Sequence, residues 1–151
     1  MMDNYKKRDQ YAILMSKLKK ATYNEFYYEA IFIEYAIIED RTDSLLRHAN
    51  IKNITNKGYS LKLNEKLNKI KSRKEFEDKY IRKHISKEFI EDINSWKSER
   101  DKLIHALVKN EYDYDALKTI ALHGECLANK LASKSKLLNN YLDKKLKEEK
   151  E

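Results

Sequence analysis

Residues 22–50 read TYNEFYYEAIFIEYAIIEDRTDSLLRHAN, and this stretch decides the fold class. Its apolar side chains recur every three or four residues, which is the spacing of one face of an α-helix. Thr22 and Glu25 form a T-x-x-E capping box that is predicted to open this helix, and the helix should end near Asn50. The predicted inner face carries Phe26, Tyr27, Ala30, Ile31, Ile37, Ile38 and Leu45.

The composition of the whole chain also favours helices. Its 151 residues include no proline and two glycines, with 41% hydrophobic and 38% charged residues. Such a chain has few of the turn residues that a β-protein needs. Its composition favours long helices whose outer faces are exposed to solvent. We therefore predict an all-α protein, an up-and-down bundle of five to six helices in a single domain over residues 1–151, with residues 143–151 frayed.

Capping and loop residues mark further helix ends. A first helix is predicted around residues 5–20, and the glycine and asparagines of residues 53–58 predict a loop. Ser72 and Glu75 form a second capping box, which divides the segment after this loop into two short helices.

The last two predicted helices also have clear starting points. Ser86 and Asp113 are predicted N-caps, and the first of these two helices should end near Asn110. Gly124 falls inside the apolar stripe of the final helix, where a missing side chain allows another backbone to approach closely.

The positive charge is concentrated in one segment. The chain carries a net charge of +7, and residues 57–87 alone hold eleven Lys and Arg against four acids, so the remainder sums to zero. A localised basic surface attracts polyanions such as phosphate backbones. Lysine-rich helical surfaces are equally common as plain solvated faces, so both interpretations remain open.

The sequence predicts a cytoplasmic, soluble protein. Cys126 is the single cysteine and cannot form an internal disulfide, and no signal peptide is recognisable. The longest apolar run, residues 31–38, is interrupted by Glu34 and is shorter than a membrane span.

Residues 95–108, SWKSERDKLIHALV, contain the most informative polar side chains. On a helical wheel Arg100 lies at the centre of an apolar arc, so its guanidinium should point inward and must meet an anion. That anion is either a phosphate in a cleft or a carboxylate of the neighbouring helix. The candidate carboxylates are Glu34, Glu39 and Asp40, and the apolar arc consists of Phe89, Ile93, Trp96, Leu103, Ile104 and Leu107.

Two further polar residues flank this arc. Asp101 and His105 are four residues apart, which places them within reach of each other on one side of the helix. An imidazole can transfer protons near neutral pH, so His105 is a candidate general acid or base. Arg41 lies on the apolar face of its own helix, as Arg100 does. It either pairs with an acidic residue or joins the cleft predicted around Arg100.

The segment Arg100-Asp-Lys-Leu-Ile-His105 resembles the R-x(4 to 6)-H motif of the HEPN superfamily, in which the residue after the arginine is commonly Asn, Asp or His. Asp101 fits that preference. The motif also lies on the penultimate long helix of a predicted bundle, as it tends to in HEPN domains. The resemblance implies a homodimeric, metal-independent endoribonuclease whose two motifs form one composite cleft.

The same resemblance implies a role for each motif residue. His105 would act as general base on the ribose 2′-OH or as general acid on the leaving oxygen, Arg100 would hold the phosphate, and Asp101 would orient His105. No His, Cys, Asp or Glu cluster has convincing metal-ligand spacing, so we expect no metal and no cofactor.

The expected partners are RNA, a second copy of the chain and, by the resemblance, a nucleotidyltransferase-like antitoxin. The alternatives are a non-catalytic module that binds nucleic acid or protein through residues 57–87, and a purely structural bundle. The predicted RNA-binding residues are basic side chains of this segment and of the motif helix: Lys69, Arg73, Lys74, Arg82, Lys83, Lys97 and Lys102.

Overall fold

The computed structural model describes residues 4–109 and 113–151. Within these ranges the chain forms six α-helices and no β-strand, which confirms the all-α class. The helices are α1 (Asn4–Tyr23), α2 (Tyr27–His48), α3 (Leu63–Ser72), α4 (Lys79–His84), α5 (Lys87–Val108) and α6 (Tyr114–Glu148), and a 3₁₀ turn (Lys74–Phe76) separates α3 from α4.

Helices α2 and α6 run parallel through the centre of the bundle. Near their N-terminal ends Tyr27 packs edge-on against Tyr114, with ring centroids 5.8 Å apart. Towards their C-terminal ends the Asn139 amide donates to the Ser44 hydroxyl at 2.9 Å. The two helices are therefore in contact along the length of α2, and they bury apolar side chains of both.

Helices α1 and α5 run in the opposite direction. Only three residues connect α1 to α2, which is the geometry of an antiparallel helical hairpin. On the other side, the Trp96 indole donates to the Ile120 carbonyl at 2.9 Å, and Asp92 lies 3.0 Å from His123, so α5 is antiparallel to α6. Since α2 is parallel to α6, α5 is also antiparallel to α2.

Gly124 lies where α2, α5 and α6 meet. A Cβ atom at this position would collide with the Glu34 carboxyl group and would come within 2.7 Å of the Trp96 ring. The chain does pack closely at this glycine, but the atoms that approach belong to the side chains of Glu34 and Trp96 and not, as the sequence had predicted, to another backbone. This packing brings the motif helix α5 into the core beside α2.

The capping box predicted at Thr22 and Glu25 is wrong. Helix α1 continues to Tyr23, and Phe26 precedes α2 without a side-chain cap. Glu25 has a φ of +60°, and the Thr22 hydroxyl donates to Glu125 on α6 at 2.8 Å. A left-handed residue closes α1 here, so this segment forms the turn between two helices and not the start of one.

The second predicted capping box marks a real break, but Asp78 supplies the cap. Ser72 is the last residue of α3, and its hydroxyl donates back to the Asn68 carbonyl at 2.7 Å. The Asp78 carboxylate accepts from the backbone N–H of Tyr80 at 2.7 Å and so opens α4. Ser72 therefore ends a helix where the sequence predicted that it would start one.

The two later caps are confirmed. The Ser86 hydroxyl accepts from the Phe89 N–H, and the Asp113 carboxylate accepts from the Ala116 N–H, both at 3.1 Å. Helix α5 ends at Val108, and the predicted end at Asn110 lies outside the described residues.

Helix α6 is the longest of the described helices and continues to Glu148. It includes residues 143–148 of the segment for which the sequence predicts fraying. Two tertiary contacts hold this end. Asp143 lies 2.7 Å from the His48 imidazole, and Lys145 lies 3.3 Å from Asp78.

Candidate active site

Arg100 points from α5 towards α2, as the wheel predicted, but it meets an aromatic ring. Its guanidinium carbon lies 4.0 Å from the centre of the Tyr35 ring. This is a cation–π contact, which reduces the cost of partly burying the charge. The arginine side chain is 19% exposed, so one part of it still reaches the solvent.

The anion that pairs with Arg100 is its own neighbour, Asp101. Arg100 Nη1 lies 3.0 Å from Asp101 Oδ1, and Lys97 Nζ lies 2.8 Å from Asp101 Oδ2. Arg100 Nε is buried and has no hydrogen-bond partner among the described residues. The guanidinium is therefore held in place while one of its donors remains unused.

None of the three carboxylates predicted to receive Arg100 does so. Glu39 lies 3.5 Å from Lys66, and Asp40 pairs with Arg41. Glu34 is 0% exposed, and neither of its oxygens has a hydrogen-bond partner in the described part of the chain. Burial, and then the nearby negative charge of Glu125, raise the pKa of Glu34 from 4.5 to about 9, so this group is uncharged at neutral pH.

His105 is exposed on the motif helix, one turn after Asp101. The predicted contact between these two residues is not formed, and the Asp101 oxygens accept from Lys97 and Arg100 instead. In residues 4–109 and 113–151 the His105 ring makes no hydrogen bond. Its imidazole is therefore accessible to a ligand, but Asp101 does not orient it in this conformation.

Exposed apolar side chains surround the motif. Ile104 and Leu107 are 39% and 44% exposed, so the prediction that both belong to the core arc is wrong. Val108 and, on α2, Phe32 are exposed further, at 83% and 73%. Because α2 and α5 are antiparallel, Phe32 lies one turn from the Arg100–Tyr35 contact on the side of Ile104. The sequence could not show that these side chains are exposed. A helical wheel describes one helix and does not reveal which of its residues a neighbouring helix covers.

Two of the predicted RNA-binding residues hold the backbone of the protein itself. Arg82 Nη2 donates to the carbonyls of Ile70 and Lys71, at 3.0 and 2.8 Å, at the end of α3. Lys69 donates to the Lys52 carbonyl at 2.9 Å. These bonds satisfy carbonyls at the end of α3 and in the preceding loop.

Of the other five predicted RNA-binding residues, four are exposed and Lys97 is partly buried. Arg73 pairs with Glu75 at 3.0 Å, and Lys102 pairs with Glu99 at 3.2 Å on the wet side of α5. Lys97 is held by Asp101. Lys74 and Lys83 are exposed and have no ion-pair partner within the described ranges.

Arg41 is surrounded in nearly the same way as Arg100. Its guanidinium carbon lies 4.5 Å from the centre of the Tyr11 ring, and its Nη2 lies 2.6 Å from Asp40 Oδ2. It lies between α1 and α2, whereas Arg100 lies between α5 and α2. Sequence reasoning missed both tyrosine rings, because nothing in the spacing indicates which aromatic residue of another helix an arginine will meet.

In the described ranges no group of three or more His, Cys, Asp or Glu side chains could hold a metal ion. None of the helices in these ranges is both long and apolar enough to span a membrane. No family model, curated protein or solved structure matches this chain. Proposals about its function therefore depend on the motif and its geometry.

Proposed function

We propose that this protein is a HEPN-like endoribonuclease that cleaves single-stranded RNA without a metal ion, using Arg100 and His105. The observation that carries the proposal is their arrangement on α5. An accessible imidazole follows a guanidinium that Tyr35 and Asp101 hold in place. The motif spacing and the all-helical fold also support it.

The chemistry would be an internal transesterification of the RNA. The ribose 2′-oxygen attacks the adjacent phosphorus, the bond to the 5′-oxygen breaks, and a cyclic phosphate forms. One group takes the proton of the 2′-OH and another protonates the leaving oxygen. Arg100 would bind the phosphate oxygens through the part of its side chain that still reaches the solvent, as negative charge develops on them. Asp101 would hold Arg100 and Lys97 and would not touch the reacting atoms.

A second copy of the chain would complete this site. The reaction needs a proton acceptor and a proton donor at once, and each chain supplies one His105. Exposed apolar groups near a polar motif are typical of protein interfaces. Contact through Phe32, Ile104 and Leu107 would bring two motifs together and exclude water. A nucleotidyltransferase-like antitoxin covering the same face would block the cleft.

The decisive experiment is His105→Ala, assayed on a single-stranded RNA in the presence of EDTA. We expect cleavage to fall by about 10²- to 10⁴-fold, because proton transfer contributes that much to the rate. Stability and RNA affinity should change little, since His105 is exposed and makes no hydrogen bond in the described part of the chain. His123→Ala is the matched control, because His123 is a half-exposed histidine on α6 and should leave the rate unchanged.

Three results would contradict this function. His105→Ala could cleave RNA at the wild-type rate, DNA could be cleaved as well as RNA, or EDTA could abolish an activity that a divalent ion restores. If the protein sedimented only as a monomer at micromolar concentration, two motifs could not form a composite site, and that part of the proposal would be wrong.

The runner-up is a non-catalytic module that binds nucleic acid or protein through residues 57–87. Exposed Lys74 and Lys83 favour it, but the carbonyl contacts of Lys69 and Arg82 count against it. RNA binding without cleavage in the wild-type protein would favour this alternative.

A further inference from the structure

A cation-rich cleft lies between α1, α2 and α6. Its volume is about 490 Å³, and Lys7, Arg8, Tyr11, Arg41, His48 and Lys136 are among the residues that line it. None of its lining residues comes from the motif helix α5. The cleft is therefore separate from the candidate active site, and a ligand could bind in it whether or not the protein is a nuclease.

Asp40 does not line this cleft, but it holds three of the lining residues in place. Its carboxylate accepts a hydrogen bond from the Tyr11 hydroxyl at 2.6 Å, pairs with Arg41 at 2.6 Å and lies 3.5 Å from Lys7. Arg41 is 14% exposed and also stacks on the Tyr11 ring. Its guanidinium is thus held before any ligand arrives, which lowers the entropy cost of binding.

The cleft has more positive than negative charge. One carboxylate, Asp40, faces the cations of α1 and α2, and Asp143 is engaged by His48 at 2.7 Å. Arg8 and Lys136 are exposed and have no ion-pair partner among the described residues. Two cations on opposite helices of the cleft therefore remain without a counter-charge, and their field attracts anions.

We propose that this cleft binds a small multivalent phosphate compound, such as a diphosphate group. Phosphate oxygens accept several charge-assisted hydrogen bonds at once, and guanidinium and ammonium groups match them well. Arg41 Nη1 makes no hydrogen bond in the described ranges and is available as a donor. The volume falls in the range of roughly 300 to 1,000 Å³ that is usual for ligand sites, which suits a compact anion.

The test is a calorimetric titration of the wild-type protein with inorganic pyrophosphate at constant ionic strength. Arg8→Gln/Lys136→Gln removes two cations whose side chains are exposed, so the fold should be retained. We expect the Kd for pyrophosphate to rise about tenfold or more in this variant, because two charged hydrogen-bond donors are lost. Lys19→Gln/Lys118→Gln is the matched control: it changes two exposed lysines of α1 and α6 outside the cleft and makes the same change in net charge. It should change the Kd by less than about twofold.

The proposal is overturned if the wild-type protein gives no pyrophosphate binding, or if both double variants weaken binding equally. A parallel titration with a short single-stranded RNA separates the two sources of phosphate. If RNA binding depends on Arg8 and Lys136 while pyrophosphate does not bind, the cleft is an RNA contact and the proposal of a small ligand is wrong.

Discussion

Arg100 and Arg41 lie in nearly the same surroundings, but the histidines that follow them are held differently. His105 makes no hydrogen bond in the described part of the chain, whereas His48, seven residues after Arg41, pairs with an aspartate of α6 at 2.7 Å. Each arginine pairs with an adjacent aspartate and stacks on a tyrosine of a neighbouring helix, at 4.0 and 4.5 Å. Five residues after Arg100 comes the exposed His105, whereas Leu46 takes the same position after Arg41 and is fully buried.

An inward arginine therefore does not by itself indicate catalysis. An adjacent carboxylate and an aromatic face together compensate much of the cost of placing a guanidinium on an apolar stripe. The two sites are distinguished by His105, an exposed histidine that has no ion pair in the described ranges, whereas His48 near Arg41 is paired.

The two carboxylates also differ. The Tyr11 hydroxyl donates to Asp40, but the Tyr35 hydroxyl makes no such bond to Asp101 in the described part of the chain. Burial raises the pKa of Asp40, yet the hydrogen bonds from Tyr11 and Arg41 outweigh it and leave that pKa below its ordinary value. In the Arg41 site the tyrosine, the arginine and the aspartate are therefore joined by hydrogen bonds, whereas in the Arg100 site the tyrosine hydroxyl does not bond the aspartate.

The largest expected difference is in RNA cleavage. Arg100→Lys keeps the charge but loses the planar fork of donors, so we expect cleavage to fall by about 100-fold. Arg41→Lys makes the same chemical change beside Tyr11 and should leave cleavage within about twofold, because Arg41 lies outside the proposed site. The measurement is the single-turnover rate on one RNA for both variants. If both variants lost the same fraction of the cleavage rate, Arg100 would have no special role in cleavage.

A smaller effect is expected from Glu34, which lies next to Tyr35 but belongs to neither arginine site. A carboxyl group whose pKa is about 9 in the folded protein, against 4.5 ordinarily, binds its proton more tightly when folded. Its stabilising contribution is complete below about pH 4.5 and is lost as the pH rises towards 9. Between pH 5 and 7 the free energy of unfolding should therefore fall more in the wild type than in Glu34→Gln, by on the order of 2 to 3 kcal/mol.

Urea unfolding at several pH values measures this difference. Glu29→Gln is the control, because Glu29 is an exposed carboxylate on the same helix and should retain the wild-type slope. If Glu34→Gln also retained that slope, Glu34 would be ionised in the folded protein and would be available as a partner for a cation.

The smallest effect concerns the two tyrosines. Tyr11→Phe removes a hydrogen bond to Asp40 and should lower the free energy of unfolding by about 1 kcal/mol. Tyr35→Phe keeps the ring that faces Arg100 and should lower it by less than about 0.5 kcal/mol. Thermal or urea unfolding of both variants tests this. The reverse order would show that Tyr35, and not Tyr11, has the important hydroxyl.

Much of the fold could be predicted from local signals. The periodicity of residues 22–50 identifies the central helix, and Ser86 and Asp113 mark the starts of α5 and α6, because a cap satisfies backbone donors only a few residues away. The same signal misled at Thr22, which has the right residue type but lies inside a turn closed by Glu25 in the left-handed conformation.

The candidate site could be predicted only in part. The motif residues and the inward direction of Arg100 follow from the sequence. Pairing with Asp101 instead of Glu34 does not follow, because Glu34 is buried and uncharged at neutral pH, and burial depends on the packing of three helices around Gly124.

The sequence by itself determined the all-helical class and the helix that carries Arg100 and His105, and it singled out Gly124 as a point of close packing. These properties depend on side-chain periodicity and on contacts within a few residues. Only the tertiary structure decided that Tyr35 faces Arg100, that Ile104 and Leu107 remain exposed, and that a cation-rich cleft forms around Arg41. Those features depend on the lengths and directions of the neighbouring helices. Contacts between residues far apart in the sequence determine these lengths and directions.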